Sequence, residues 1–464
     1  MLFNSIEFLI FLPVVFVAYW LLHRRLLCQN LLVVAASYLF YGWWDWRCLG
    51  LLALTSACSY GSALAMDCCR TNRARHAVCA INVALNLGIL AVFKYFNFFA
   101  NELARVLGFV GFTSDWATVN VVLPVGISFY TFQALSYTID VYRRQLTPTR
   151  DVVAFFAYIS FFPQLVAGPI ERAGALLPQF VRKRRFDYAQ AVDGLRQMLW
   201  GLFKKMVVAD NCATLVNQVW IHYQHHSGVM LVVAAVLFAF QIYGDFSGYS
   251  DIAVGCARLF GIRLTRNFSQ PYFAADVRDF WRRWHISLMR WFTHYVYIPL
   301  GGSRCPGWVA VRNILVVFAL SGLWHGANWT FVAWGVYHGV LLAVWRLAGV
   351  KLSQGLGRLL TFAVVTLGWV LFRAPTIGDA AGFVGCVVAN PWGGLAAGAT
   401  LPLVSVAVLL LAEWLTRGRE HPLQFAPSSW LAHHATLRGC CYATLAVAIC
   451  LLAGTQSQFI YFQF

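Results

Sequence analysis

The chain has 464 residues, 60% of them hydrophobic, 16% aromatic and 11% charged, with a mean hydropathy of +0.64. A soluble fold could not hide that much apolar surface, so composition predicts an all-α polytopic membrane protein and excludes an ordinary multidomain soluble one. The net charge of +17 lies in short basic clusters between apolar runs, which fits loops against anionic headgroups and phosphate-bearing substrates and does not point to nucleic acid.

The first predicted span is 3–22, closed by His23-Arg24-Arg25, and no basic leader or small-residue cleavage site precedes it, so it is read as retained. Residues 29–67 carry two apolar stretches divided at Trp43-Trp44-Asp45-Trp46, aromatic residues suited to an interface. Residues 77–99 and 121–141 follow as spans. The basic clusters Arg24-Arg25, Arg70–Arg75 and Arg143-Arg144-Arg150 then share one side, which the positive-inside rule makes cytoplasmic, with the N-terminus periplasmic. Residues 151–170, broken by Pro163, Gly168 and Pro169 and flanked by basic residues, read as re-entrant or interfacial. Further spans are expected near 190–219, 229–250, 355–373, 379–391, 399–416 and 439–454, for roughly ten to twelve membrane segments at about 20 residues each. No linker, repeat or separate soluble domain is visible, so residues 1–464 are read as one membrane domain.

Several side chains are costly where they stand. Thirty-three residues between Arg312 and Arg346 contain no Asp, Glu, Lys or Arg, yet they include Ser321-Gly322-Leu323-Trp324-His325-Gly326-Ala327-Asn328-Trp329. One helix of that length would measure about 50 Å against a hydrocarbon core of about 30 Å, so a break at Gly322–Asn328 is expected, giving two short pieces with His325 at the join. An ionisable side chain there reads as functional. Residues 276–295 read as one amphipathic interfacial helix, N-capped by Asp276, with His285 at the edge of its aromatic face and Arg278, Arg282 and Arg283 available to an anionic ligand. In Gln241–Asp251, the carboxylates Asp245 and Asp251 either bind substrate or brace the interior, bracing being the favoured reading.

Thirteen cysteines show no C-x-x-C spacing and are read as buried thiols, with no disulfide and no metal site. His222, His225 and His226 lack an apparent fourth ligand and read as a solvated loop. There is no nucleophile elbow, phosphate loop or dinucleotide fingerprint. What remains suits general-base removal of a hydroxyl proton beside a phosphate-bearing donor, with Asn328 or Trp324 as candidate oxyanion donors.

At this point the sequence resembles the membrane-bound O-acyltransferase family and, within it, the bacterial alginate O-acetyltransferase-like branch. The resemblance is carried by Leu123–Gln133, Phe161–Ile170, Gln241–Asp251, Asp279–Leu288, Tyr297–Gly302, the His325 stretch and Phe459–Phe464. It implies a helical fold around a tunnel, with the family's invariant histidine at His325 and its second histidine at His285. It also implies acyl transfer from a cytoplasmic donor, acetyl-CoA or another acyl thioester, with no bound cofactor, to an exported polysaccharide such as alginate. A periplasmic or extracellular partner protein and location in the bacterial inner membrane follow from the same likeness. Departures from the family pattern stand at Gly244, Met289 and Thr293-His294. The rival readings are a carrier-protein or D-alanyl donor and, in another class, a transporter or flippase built on broken helices. The closing Phe459–Phe464 is expected to pack back into the membrane body.

Overall fold

Helix starts follow local capping chemistry. Ser5, Thr71, Asp151, Asp187, Ser227, Asp276, Ser353 and Thr376 each accept a backbone N–H three residues on, supplying an acceptor that the first helical turn lacks. The computed structural model describes residues 1–111, 124–166, 168–349, 352–425 and 433–460, and these contain helices and no strand. Seven of the helices are long and apolar enough to cross a membrane; four shorter apolar helices accompany them. The expected terminal packing can be followed only to Ile460, and residues 461–464 and the start of the expected 121–141 span lie outside the described residues.

The chain divides into two compact units, Met1–Phe186 with Gly326–Asn328, and Asp187–His325 with the residues from Trp329 onward. In the first unit, helix Ile127–Tyr142 is buried along nearly its whole length, and Asn82 donates to Thr138 Oγ1 at 2.6 Å to satisfy a polar seam inside it. Gly126 begins this helix at φ +75°, where a Cβ would meet the Leu165 carbonyl at 2.7 Å. The expected re-entrant segment folds as two short buried helices, Val152–Ser160 and Phe162–Leu165, each well below crossing length.

The second unit is built on the 32-residue helix Gly228–Leu259, longer than the expected 229–250 span. It packs against the helical run 188–221, whose i→i+4 ladder widens into a π-turn at Phe203–Ala209. A Cβ on Gly201 would approach the Gly248 carbonyl at 2.6 Å, and one on Gly194 the Gly255 carbonyl at 2.5 Å. Small residues seven apart therefore let the two backbones touch, as helices do where lipid supplies no hydrophobic drive. Gly244, one of the departures, lies in the same contact: its Cβ would be 3.0 Å from the Lys204 carbonyl. The run 188–221 is not among the seven apolar candidates, because it holds Lys204, Lys205 and Asp210 inside the fold.

Two expectations are corrected. Residues 276–295 do not form one helix. They form helices Val277–Arg283 and Ile286–Phe292, joined where His285 takes a left-handed conformation at φ +45°, followed by a π-turn at Thr293–Tyr297. The charge-free run does break at the expected place, but into pieces of 19 and 20 residues, Gly307–His325 and Trp329–Ala348, each long enough to cross. They form an antiparallel hairpin in which a Cβ on Gly335 would come within 2.1 Å of the Phe318 carbonyl and one on Gly322 within 2.2 Å of the Phe331 carbonyl. His325 thus stands at the turn of two full-length helices, not between two half-helices.

All thirteen cysteines are free thiols, but Cys68, Cys440 and Cys450 are exposed, so the buried reading holds for only part of the set.

Candidate active site

The hairpin places His325 as the last residue of its first helix, 3% exposed, with ring neighbours Trp324, Trp334 and Phe372 at centroid distances of 5.0, 5.1 and 5.6 Å. The left-handed link presents His285, 1% exposed, to the same spot: the two imidazole centroids are 6.2 Å apart, and Trp324 lies 5.9 Å from His285. Two histidines forty residues apart in sequence are thereby neighbours in an aromatic enclosure.

The tautomer of His285 can be argued from its partner. Asn267 Oδ1 accepts the backbone N–H of Ser287 at 3.3 Å and the Ser287 hydroxyl at 2.9 Å, while Asn267 Nδ2 donates to Ser250 Oγ at 3.3 Å. The atom 3.2 Å from His285 Nδ1 is therefore the amide oxygen, so Nδ1 is the donor and the lone pair resides on Nε2. Burial lowers the His285 pKa to about 3, which keeps the ring neutral.

Neither histidine lines the open cavity of about 1180 Å³, but its wall includes Ile286, next in sequence to His285, and Trp281, whose ring lies 5.7 Å from Trp334, the neighbour of His325. Arg278, Arg282, Arg290 and Arg346 line the cavity together with Trp281, Met289, His294 and Tyr297. None of the four arginines is in an ion pair with a described residue. Met289 and His294, read from the sequence as departures from the family pattern, stand in its wall.

Not every candidate joins the cavity. Arg283 turns away and pairs with Asp279 at 2.9 Å. Asp245 binds Lys205 at 2.8 Å and Asp251 binds Lys204 at 2.5 Å, an arrangement that braces the long helix. Asn328 falls in the three-residue link after His325 and is half-buried. Among the described residues no group of three or more His, Cys, Asp or Glu side chains could hold a metal ion.

The sequence reading gave no site role to Asn267, Arg290, Arg346, the two lysines or His338. The last is fully buried against Trp281 and Trp334, at centroid distances of 5.0 and 5.2 Å. Lys204 and Lys205 gave a usable signal, two cations inside an apolar run near two costly aspartates. Asn267 and Arg346 gave none, since only tertiary folding brings them to the site.

The architecture defines a multi-pass helical membrane protein with a buried histidine pair next to a cationic cavity. Residues 143–350 match the membrane-bound O-acyltransferase family. Over 384 residues the chain is 38% identical to the probable alginate O-acetylase AlgI of Azotobacter vinelandii, covering 81% of this chain and 76% of that protein. It is 34% identical to the peptidoglycan O-acetyltransferase of Helicobacter pylori, over 82% and 78% of the two chains. A more distant likeness, 28% over 49% of this chain and 60% of the other, is to the teichoic acid D-alanyltransferase of Bacillus subtilis. The chain belongs to the membrane-bound O-acyltransferase family and is an enzyme of that family, related to its alginate and peptidoglycan O-acetylating members.

Proposed function

We propose that this protein is an inner-membrane O-acetyltransferase that passes an acetyl group from a cytoplasmic thioester, acetyl-CoA, toward an exported polysaccharide such as alginate. The observation that carries the reading is the meeting of His285 and His325 at 6.2 Å beside a cavity with four arginines. In the reaction, His325 takes the proton of the acceptor hydroxyl as its oxygen bonds to the acetyl carbon. The carbon–sulfur bond then breaks, and the proton passes to the departing thiolate, so no net proton is released. His285 positions the donor or shares that proton through its Nε2 lone pair. Arg278, Arg282, Arg290 and Arg346 hold donor phosphates, and Trp324 or Asn328 is the candidate oxyanion donor.

The helices would surround a tunnel of roughly ten to twelve membrane segments, the N-terminus facing the periplasm. A periplasmic or extracellular partner protein would carry the group onward, as the resemblance to the alginate-acetylating branch implies. The likeness to D-alanyltransferases keeps a carrier-borne acyl donor as the second reading. Supplying purified protein with acetyl-CoA or with an acyl carrier protein thioester separates the two by which thioester is consumed.

General-base catalysis contributes about 10²–10⁴ in rate, so His325→Ala should abolish measurable O-acetylation of the exported polymer in cells that make the variant at normal level. Full acetylation by that variant would sink the proposal.

A further inference from the structure

After helix Ala435–Leu452 the chain runs back along residues 205–214 as a strap. Gly454 donates its N–H to the Met206 carbonyl at 2.9 Å, and the Asn211 side chain donates to the Leu452 carbonyl at 2.8 Å. The hydroxyls of Thr214 and Thr455 are 3.1 Å apart. A Cβ on Gly454 would come within 2.7 Å of the Asn211 nitrogen, so this approach needs glycine.

The strap then enters a buried charge cluster. Lys205 reaches Asp210 and Asp245 at 2.8 Å each and the Ser457 carbonyl at 3.1 Å. One ammonium facing two carboxylates leaves acceptor capacity over, and the strap fills it: the Ser457 hydroxyl donates to Asp210 at 2.5 Å and the Ile460 N–H to Asp245 at 2.6 Å. These bonds fix Phe459 between them, fully buried. Its ring lies 4.3 Å from Tyr249 and 5.9 Å from Phe246, and the Phe246 ring stands edge-on to His285 at 4.7 Å.

His285 occupies a left-handed link and caps helix Ile286–Phe292, its carbonyl accepting the Met289 N–H at 3.1 Å, so the backbone alone does not fix where its ring points. Its ring is held by Asn267 at one nitrogen and by aromatic packing on its face. We propose that Phe459 is a positioning residue for acyl transfer. Clamped by the Lys205 cluster, it holds Phe246 against His285 and so sets the spacing of the two imidazoles. This rests on the reading of His285 and His325 as the reacting pair, and small displacements of such groups cost rate steeply.

The test is a double-mutant cycle on the purified full chain in detergent, following thiol release from acetyl-CoA. Phe459→Ala should lower kcat about ten-fold with KM for acetyl-CoA unchanged, because the arginine cavity is untouched, and Phe459→Leu should restore most of the loss. With His285→Gln already present, Phe459→Ala should cost nothing more. A full multiplicative loss in the double variant, a change confined to KM, or an unchanged kcat in Phe459→Ala overturns the inference. Wild-type kcat in His285→Gln alone overturns instead the assignment of His285 on which it rests. If Phe459→Ala is not recovered monodisperse, Phe459→Val, which still removes the ring and most of its contact with Phe246, carries the same cycle.

Discussion

Two cationic regions of the second unit obey opposite rules. Along the long helix, three basic side chains meet carboxylates: Lys204 with Asp251, Lys205 with Asp210 and Asp245, Arg258 with Asp193 and Glu420, while Arg196 packs on the Phe425 and Tyr442 rings. Around the cavity, Arg278, Arg282, Arg290 and Arg346 face open space with no carboxylate partner among the described residues. Buried charge is tolerated only when matched, so the first set belongs to the architecture. The second set is the arrangement that an anionic ligand completes. The same chemistry thus separates residues that hold the fold from residues that hold a substrate.

Breaking one member of each set should give different symptoms. Lys205→Met leaves Asp210 and Asp245 facing each other without a cation, a change that costs about 3–5 kcal/mol in buried pairs. The expected outcome is loss of folded protein from the membrane fraction or a large fall in melting temperature, and a normal melting curve would refute the bracing role. Arg290→Gln should behave in reverse. A charge-assisted hydrogen bond contributes about 1.5–3 kcal/mol, so KM for acetyl-CoA should rise roughly ten-fold or more while the melting temperature stays put. Arg283→Gln is the control within the same short stretch. Its half-buried pair with Asp279 is of the kind that contributes about 0–1 kcal/mol, and KM should stay within about two-fold. If Arg283→Gln raised KM as much as Arg290→Gln, the division between paired and open arginines would fail.

How far the sequence exposed this division depends on whether the signal was local. His325 was visible because a titratable group in a charge-free run is expensive, and its glycine neighbours marked the break. The lengths of the two pieces were misjudged, because a hairpin of full spans and a pair of half-helices share the same hydropathy. His285 was found as a residue but placed on the wrong element. Its left-handed backbone is carried by a histidine, without the glycine that would mark a link. Asp245 and Asp251 were recognised as costly, yet their lysines lie on another helix some forty to fifty residues earlier. Arg346 is farther still from Arg278, and nothing in their spacing foretells a shared cavity.

The smallest expected effect concerns the uncharged side of the comparison, the histidine kept neutral beside the cationic cavity. The His285 pKa is lowered to about 3 by burial, whereas an unfolded histidine titrates near 6.5. Between those values the unfolded chain binds the proton and the folded chain does not, so stability is full above about pH 6.5 and falls as the pH drops from there toward 3. In His285→Gln that contribution to the acid-side decline should vanish. The rate law should also lack a His285 limb from pH 5 to 8, so any acid limb in that window should persist in His285→Gln. Asn267→Asp reverses the logic. A carboxylate in place of the amide oxygen favours the imidazolium, raises the His285 pKa toward its ordinary value, and should introduce a new acid limb into the kcat profile. A profile unmoved by Asn267→Asp would mean that the Nδ1 contact does not govern the charge of this ring.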